Sequence, residues 1–261
     1  HLQTTYSQPS IIIIFQMISK SKISKIRLLH QKKHREEMQL FLVEGTKSVI
    51  EVLNSKLEVD EIFATEKWQH QNAVDFDVIT VSESEMERIS CMKTPPEILC
   101  TVKIPHFDLK KIEKNAPILL LDGIKDPGNL GTIIRTGEWL GFQQIVCSLD
   151  SVEFTNPKTI QACMGSFCRS KIYYCNLTEF IKSEKDRKIY GLCMNGTDIT
   201  NINFKNNDIL VVGSESHGIS PEVMQLLSAK IHISAAPNNC AESLNASIAA
   251  AIVMFQHYKL R

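Results

Sequence analysis

Short apolar runs alternate with longer amphipathic stretches in the second half of the chain. The apolar runs predict strands at residues 118–121, 145–148, 171–174, 189–193, 209–212 and 230–233. The intervening stretches predict helices at residues 129–140, 158–164, 177–183, 221–227 and 242–258. Strands that alternate with helices in this way favour a mostly parallel sheet covered on both faces. We therefore predict an α/β domain over residues 117–261.

The first half of the chain mixes helices and short strands. A basic amphipathic pattern predicts a helix from Ile18 to about Gln39. The later patterns predict strands at 41–44, 59–64, 78–81 and 98–104, and helices at 46–54 and 83–89. Ser82 and Glu85 have the spacing of a capping box at the start of the last helix. We predict a small α/β domain over residues 17–104 and a polar linker over residues 105–116.

The two ends of the chain require separate interpretation. Residues 1–16 have no periodicity and begin with His1, so we interpret them as a cloning remnant or an upstream extension. The apolar run 11–18 is far shorter than the roughly 20 residues of a membrane helix, and no membrane span is predicted elsewhere. The final helix, 242–258, is apolar nearly all round. It is either a central core helix or a helix shared between its own domain and a second subunit.

Composition and charge restrict the class of protein. The chain has 261 residues, 43% of them hydrophobic and 22% charged, which is typical of a globular protein. Lys plus Arg equals Asp plus Glu at 29 each, so the molecule as a whole has no charge that attracts a polyanion. The first 35 residues, however, contain no acid. Their basic residues from position 20 onward are Lys20, Lys22, Lys25, Arg27, Lys32, Lys33 and Arg35.

This basic run has two interpretations that the sequence leaves open, a solvated helix surface and a surface that contacts phosphates. A transit peptide is disfavoured, because the amphipathic pattern from Ile18 continues into the predicted fold. The eight cysteines contain no Cys-x-x-Cys pair, so no metal site is predicted. Several cysteines lie inside strand patterns, which indicates buried apolar residues in a reducing compartment and hence a cytoplasmic protein.

Three polar segments each follow a predicted strand of the second domain. They are Asp126–Arg135, Gly213–Glu215 and Glu242–Asn245. Loops at the carboxyl ends of parallel strands gather ligand sites, so we expect these segments to form one site. The phosphate-binding patterns Gly-x-Gly-x-x-Gly and Gly-x-x-x-x-Gly-Lys-Ser/Thr do not occur in the sequence, which disfavours ordinary NAD and NTP binding.

The three segments resemble the motifs of a known family. Asp126-Pro-Gly-Asn129-Leu-Gly131-x-x-x-Arg135-Thr, Val212-Gly-Ser-Glu215-Ser-His-Gly218-Ile-Ser and Glu242-Ser-Leu-Asn245-Ala-Ser-Ile-Ala occur in the order found in the SpoU/TrmH family of RNA ribose 2'-O-methyltransferases. Phe41-Leu-Val-Glu-Gly45-Thr-Lys, with residues 90–95, is similar to that family's amino-terminal substrate-binding domain. The resemblance covers nearly the whole chain.

The resemblance implies a carboxy-terminal α/β domain with a deep trefoil knot, S-adenosylmethionine bound at the knot, and a homodimer formed through that domain. Pattern alone would predict an unknotted sheet. The resemblance also implies RNA as the partner, no metal, and a cofactor held by backbone around Gly213, Ser214, Ile233 and Leu244. Arg135 is implied to activate the ribose hydroxyl.

A literal arginine base is expensive, because lowering the pKa from about 13.8 to near 7 costs roughly 9 kcal/mol. We therefore expect Arg135 to stabilise the developing alkoxide and to clamp phosphate. Asn129 is expected to hold the ribose or orient Arg135, and Glu215 to fix the guanidinium by a bidentate pair. Ser243 and Asn245 are expected to line the catalytic pocket.

Ordinary structural roles compete with each of these assignments. Asn129 is also a plausible helix N-cap, Glu215 a plausible first-turn acid, and Ser243 and Asn245 ordinary cap residues. His217 and His232 are interpreted as surface or packing residues. The chain departs from the family at Ser214 and in the segment 233–241, which replaces the usual Ile-Pro-Met-x-Gly. The register of the cofactor loop is therefore open.

The sequence thus predicts a cytoplasmic, dimeric enzyme that methylates a ribose 2'-hydroxyl of ribosomal or transfer RNA. The main alternative is a non-catalytic RNA-binding or ribosome-assembly factor that keeps the fold. A weaker alternative is a methyltransferase that acts on a base. Neither the RNA nor the nucleotide follows from the motifs.

Overall fold

A computed structural model describes residues 18–72 and 76–260. The expectation for residues 1–16 lies outside these residues. The structure contains a four-stranded sheet in the first part of the chain and a six-stranded sheet in the second. Within the described residues, no helix is both long and apolar enough to cross a bilayer.

The amino-terminal sheet has the order β1-β4-β2-β3. The strand β4 pairs antiparallel with β1 and β2, and β3 pairs parallel with β2. The strands are β1 Leu40–Glu44, β2 Val59–Thr65, β3 Ile79–Val81 and β4 Ile98–Lys103. The helices are α1 Lys20–Leu28, α2 Lys32–Met38, α3 Thr46–Leu53, α4 Glu66–Gln71 and α5 Glu83–Ile89.

Two local features of this part test the sequence patterns. The predicted capping box is confirmed, because the Ser82 side chain accepts from the Glu85 N–H while the Glu85 side chain accepts from the Ser82 N–H. The prediction of a single basic helix was wrong, since α1 ends at Leu28 and α2 begins at Lys32. Leu29, which lies between them, is buried in the core, and His30 bonds the Ile89 carbonyl at 2.9 Å. The backbone leaves the helical conformation at Gln31, whose φ of −104 and ψ of 136 are extended.

The carboxy-terminal sheet has the order β10-β8-β9-β5-β6-β7, and every neighbouring pair is parallel. The predicted parallel α/β architecture is confirmed. The strands are β5 Ile118–Asp122, β6 Gln144–Ser148, β7 Lys171–Cys175, β8 Ile189–Asp198, β9 Ile209–Gly213 and β10 Ala229–His232. The helices are α6 Pro127–Leu140, α7 Pro157–Cys163, α8 Leu177–Ser183, α9 Pro221–Met224 and α10 Ala246–Leu260. Single 3-10 turns occupy Leu109–Lys111, Ser166–Arg169 and Ile199–Asn201.

The strand β8 is interrupted where the sequence predicts a continuous strand. Gly191 pairs with Lys230, but the next pair joins Thr197 to Ile231, so residues 192–196 leave the ladder. Gly196 has φ +152, and a Cβ there would lie 2.4 Å from the Lys230 carbonyl oxygen. The chain returns to the sheet at this close approach, which only glycine tolerates.

The two sheets share one apolar core. Phe41 of β1 contacts Phe154 and Phe167 in edge-on geometry, with both centroid distances at 5.9 Å. The helix α7 packs against β1, and Arg35 of α2 pairs with Glu153. These contacts join the amino-terminal and carboxy-terminal parts of the chain without an intervening solvent layer.

Candidate active site

A cavity of about 810 Å³ opens at the carboxyl ends of β8, β9 and β10. Residues 192–195 line one side of it and residues 233–244 line another. Its walls are mostly apolar, and Glu215 and Glu242 add carboxylates. All four residues predicted to hold a cofactor, Gly213, Ser214, Ile233 and Leu244, line this cavity. The fold therefore brings together segments from β9, β10 and the loop before α10.

The segment after β9 is a tight closed turn. Ser214 and Gly218 exchange backbone hydrogen bonds at 3.1 Å and 2.8 Å. A Cβ at Gly213 would lie 2.1 Å from the Gly218 carbonyl carbon, so the turn closes only with glycine at position 213. The closed turn holds Glu215 and His217 at the rim of the cavity.

Glu215 is the centre of a hydrogen-bond network that joins all three polar segments. Its Oε1 accepts from Asn129 Nδ2 at 2.9 Å and from Asn245 Nδ2 at 2.6 Å. The Ala246 N–H donates to the same oxygen at 3.1 Å. Asn245 Nδ2 also donates to Asn129 Oδ1 at 3.0 Å. Oε2 of Glu215 accepts no hydrogen bond from the described residues.

The structure supports the competing helix-cap role for one residue of this network and not for another. Asn129 is not the N-cap of α6, because Asp126 occupies that position and accepts from the Asn129 N–H at 2.7 Å. Asn245 does act as a cap, since its Oδ1 accepts from the Ser247 N–H at 2.9 Å. Glu215 is not a first-turn acid of its own helix but lies at the amino terminus of α10. A carboxylate there is favoured by the helix dipole.

The predicted bidentate pair between Glu215 and Arg135 does not form in this chain. Arg135 is exposed on α6 and lines a different groove, of about 570 Å³, that shares no lining residue with the first cavity. The groove also contains Lys47 of α3 and Trp139 of α6. The helix carries Asn129 to one site and Arg135, nearly two turns later, to another.

Arg169 crosses the floor of this second groove. Its Nε donates to Glu138 at 2.7 Å and its guanidinium pairs with Glu51 at 2.5 Å. The hydrogen bonds that Arg169 donates, first to Glu138 and then to Glu51, raise the pKa of Arg169. Both carboxylates of the groove are thus engaged by one arginine.

The basic run divides into exposed and engaged residues. Lys20, Lys25, Arg27, Lys32 and Lys33 are exposed, and Lys32 and Lys33 also pair along α2 with Glu36 at 3.7 Å and Glu37 at 3.8 Å. Lys22 pairs with Glu61. Arg35 is a correction to the predicted RNA surface, because it is 2% exposed, pairs with Glu153 and donates to the Leu29 carbonyl at 2.8 Å. A charged guanidinium needs such partners when it leaves water, so Arg35 belongs to the junction between the two parts of the fold.

Two further residues of the site were not predicted from the sequence. Asp122, at the end of β5, is buried and accepts from the Ser220 N–H at 2.8 Å, which ties the segment after the closed turn to β5. Asp122 directly follows the apolar run Ile118–Leu121, and this position at the end of a predicted strand could have identified it as a site residue. Ser234, at the start of the cofactor loop, bonds Asp198 at the end of β8. No short-range pattern predicts that contact, because the partners lie 36 residues apart.

The cysteines near the site are structural. Burial raises the pKa of Cys163 to about 11 and that of Cys168 to about 12. Burial also raises the pKa of Cys193, which lines the cavity. These thiols stay protonated at neutral pH and are poor nucleophiles.

The cavity fits S-adenosylmethionine in size and chemistry. Its volume lies within the roughly 300–1,000 Å³ of small-molecule sites. Leu192, Ile219 and Ile252 supply apolar surface for a flat heterocycle. Glu215 and Glu242 supply negative charge for a cationic ligand. The donor set thus suits a ligand that combines a base with a sulfonium and an ammonium group.

Comparison with protein families gives two matches along the chain. Residues 116–255 match the SpoU rRNA Methylase family. Residues 20–100 match the MRM3-like substrate binding domain. A curated relative with 28% identity is the 23S rRNA guanosine 2'-O-methyltransferase RlmP of Bacillus subtilis, and the match covers 90% of this chain and 94% of that protein.

Two solved structures have the same architecture. One is a putative RNA methyltransferase of the TrmH family from Porphyromonas gingivalis, with 32% identity and a TM-score of 0.83 over 92% of this chain and 98% of the other. The other is an AdoMet-bound rRNA methyltransferase from Sinorhizobium meliloti, with 27% identity and a TM-score of 0.83 over 94% of this chain and 97% of the other. The likeness spans both sheets.

Proposed function

The chain belongs to the SpoU rRNA methylase family, and we propose that it transfers a methyl group from S-adenosylmethionine to a ribose 2'-hydroxyl of ribosomal or transfer RNA. One observation carries the proposal. Glu215, which accepts from Asn129 and Asn245, lines the same cavity as Gly213, Ser214, Ile233 and Leu244. Reactive polar groups and a cofactor-sized cavity thus adjoin each other.

The chain's own residues have separate tasks in this reaction. When bound, the cofactor supplies an electrophilic methyl group on a sulfonium. Gly213 and Ser214 hold one edge of the cavity through the closed turn, while Ile233 and Leu244 shape the loop side. Their rigid placement favours an in-line approach of the ribose hydroxyl, and such orientation is a large part of the rate enhancement in transfer reactions.

The network around Glu215 orients polar groups toward the substrate. Three donors fix Oε1, so the carboxylate cannot rotate freely. Oε2 remains available to accept from an arginine or a ribose hydroxyl. Ser243 lines the same cavity and supplies a hydroxyl at its rim. We assign Asn129 and Asn245 to holding Glu215 and the ribose, and Ser243 to the substrate side.

Arg135 completes the site only if a second copy of the chain supplies it. In its own chain Arg135 lies in the second groove, beside an exposed apolar face of α6 and α10. That face contains Trp139, which is 86% exposed, and Ile248, Phe255 and Tyr258, which are each about half exposed. Exposed apolar patches of this kind mark protein interfaces. We propose a homodimer through this face, in which Arg135 of one copy approaches Glu215 of the other.

The proposed dimer favours the second interpretation of the final helix, as a helix shared between its own domain and a second subunit. Ala250, Val253 and Met254 of α10 are buried in their own domain. The opposite side carries the exposed apolar residues of the proposed interface. In the proposed dimer the helix is part core and part interface, and Arg135 keeps the charge-stabilising role that suits a permanently charged guanidinium.

We propose that the amino-terminal domain, residues 17–104, recognises the RNA, and that residues 105–116 link it to the methyltransferase domain, residues 117–261. The match of residues 20–100 to a substrate binding domain supports this division. The exposed cations Lys20, Lys25, Arg27, Lys32 and Lys33 form the proposed phosphate-contacting surface. We further propose a cytoplasmic location and the trefoil knot of the family.

Titration of S-adenosylmethionine into the purified protein by calorimetry tests the cofactor assignment. We expect one site per chain with micromolar affinity. Incubation with RNA and the cofactor then tests the reaction, since ribose methylation makes the 3' phosphodiester resistant to alkali whereas base methylation does not. A folded protein that binds no cofactor, with or without RNA, would exclude the enzyme and favour the non-catalytic assembly factor, to which the unusual loop 233–241 gives some support.

A further inference from the structure

We propose that the contact between Ser234 and Asp198 positions the cofactor loop and thereby sets the affinity for S-adenosylmethionine. This inference rests on the proposed function and assigns to it two residues that the motifs do not contain. The hydroxyl of Ser234 donates to Asp198 Oδ2. Ser234 is the second residue of the cofactor loop, residues 233–244, and it lines the cavity.

The cofactor loop makes few hydrogen bonds to the rest of the fold. Asn239 donates its N–H to the Ala236 carbonyl at 3.2 Å and accepts from the Ala241 N–H at 2.8 Å. These bonds begin and end inside the loop. Among the described residues, the hydrogen bonds of residues 235–244 all stay within the loop. Ser234 therefore supplies the side-chain hydrogen bond that fixes the loop to a neighbouring strand.

Asp198 is held in place independently of Ser234. It is the last residue of β8 and pairs with His232 of β10 in the ladder. Its Oδ1 accepts from the Thr200 N–H at 2.8 Å and from the Thr200 hydroxyl at 2.5 Å. The carboxylate is thus oriented by one set of bonds and offers its other oxygen to the loop.

The contact joins the two walls of the cavity. Residues 192–195 form one wall and belong to the segment that leaves β8 before Gly196. Asp198 lies directly after the return of that segment to the sheet. Ser234 lies at the start of the opposite wall. A bond between these two positions fixes the spacing of the walls at their base.

The charge state of Asp198 keeps this bond available. The hydrogen bond from Ser234, followed by those from Thr200, lowers the pKa of Asp198 to about 2. The carboxylate is therefore ionised at every pH at which the protein is handled. Water weakens the hydrogen bond of an exposed pair such as this one. The charge on the carboxylate offsets part of that loss, because charge-assisted hydrogen bonds are stronger than neutral ones.

The test uses Ser234→Ala, Ser234→Thr and Ser183→Ala in the full chain. Ser183→Ala is the control, because that hydroxyl bonds only the local Phe180 carbonyl at 2.7 Å on a distant helix. We expect Ser234→Ala to weaken S-adenosylmethionine binding roughly fivefold in calorimetry, the order expected for an exposed charge-assisted bond. Ser234→Thr keeps the hydroxyl and should bind within about twofold of the parent.

Two further readouts separate positioning from a general loss of structure. Amide exchange in residues 235–244 should be faster in Ser234→Ala and unchanged in Ser183→Ala. The KM for the cofactor should rise while kcat at saturation stays the same. Equal affinity and equal exchange in the parent and Ser234→Ala would overturn the proposal, as would a Thr variant as weak as the Ala variant. A parent that binds no cofactor would instead refute the proposed function, while the exchange measurement would still test the contact.

Discussion

Removing either partner of the Arg35–Glu153 pair should destabilise the protein by different amounts. Arg35 is 2% exposed, whereas the Glu153 side chain is 20% exposed. Glu153→Ala leaves the guanidinium buried with the Leu29 carbonyl as its remaining partner. Breaking a buried pair from one side costs about 3–5 kcal/mol, and the partial exposure of Glu153 places the expected loss near about 3 kcal/mol. Arg35→Met leaves a carboxylate that water can reach, so we expect about 1–2 kcal/mol.

Denaturant unfolding followed by tryptophan fluorescence measures this difference. Trp68 is buried on α4 and reports unfolding of the amino-terminal part. Trp139 lies on the proposed dimer face, so the variants are compared at one protein concentration. The double variant Arg35→Met/Glu153→Ala should lose less free energy of unfolding than the sum of the two single losses, because it leaves neither charge without its partner. Equal losses in the two single variants, or additive losses in the double variant, would refute the burial argument. An RNA-binding salt slope that falls in Arg35→Met would show instead that Arg35 contacts phosphate.

Three other predictions address RNA, cofactor and assembly. Replacing Lys25, Lys32 and Lys33 by alanine should weaken RNA binding and reduce its log–log salt slope by about 2–3, measured by fluorescence anisotropy across salt concentrations. Gly213→Ala should weaken S-adenosylmethionine binding in calorimetry by at least about tenfold, because a Cβ at 2.1 Å from the opposite backbone cannot be accommodated without opening the turn. Trp139→Lys should convert the dimer to a monomer in sedimentation velocity and abolish methyl transfer while each chain still binds cofactor.

Each of these variants has a matched control. Leu149 is 68% exposed on another surface, so Leu149→Lys should leave the assembly unchanged. Gly45→Ala meets nothing within 4 Å of its added Cβ but is strained at a φ of +90, so it controls for backbone strain away from the cavity and should leave cofactor binding unchanged. Lys22→Ala removes a cation that is less exposed than Lys32 or Lys33 and is paired more closely, with Glu61 of β2, so it should lower the salt slope by less than either of those lysines does. Dimers that survive Trp139→Lys, or a slope that survives the triple change, would contradict the assignments of these surfaces.

Local patterns predicted those parts of the fold that depend on neighbours in the chain. The capping box at Ser82 and the helix Leu177–Ser183 were predicted correctly, because caps and amphipathic spacing act over a few residues. The competing interpretation of Asn129 as the N-cap of α6 was wrong, because Asp126 is the cap, and Asp126 followed by Pro127 was a readable start signal. The interruption of β8 escaped prediction, since Leu192-Cys193-Met194 continues an apolar run that looks like strand.

Contacts between residues far apart in the chain limit how much of the candidate site can be predicted from the sequence. Motif order predicted that Asn129, Glu215 and Asn245 would lie together, and their side chains bond one another. The sequence did not predict that Arg135 would point to another groove, because one helix can present residues six positions apart to different surfaces. It also placed Arg35 on an RNA surface, since the acid that neutralises it lies 118 residues away in the chain.

The aromatic contact between the two sheets has a consequence for synthesis on the ribosome. Phe41 is fully buried in the finished protein, yet its partners Phe154 and Phe167 follow more than a hundred residues later. At about 5–20 residues per second, the apolar face of β1 stays uncovered for roughly 6–25 s after it is made. The amino-terminal sheet therefore exposes apolar surface during translation and is prone to aggregate. Chaperones that bind the nascent chain should increase the yield of this protein, and they should matter less for a protein whose domains have separate cores.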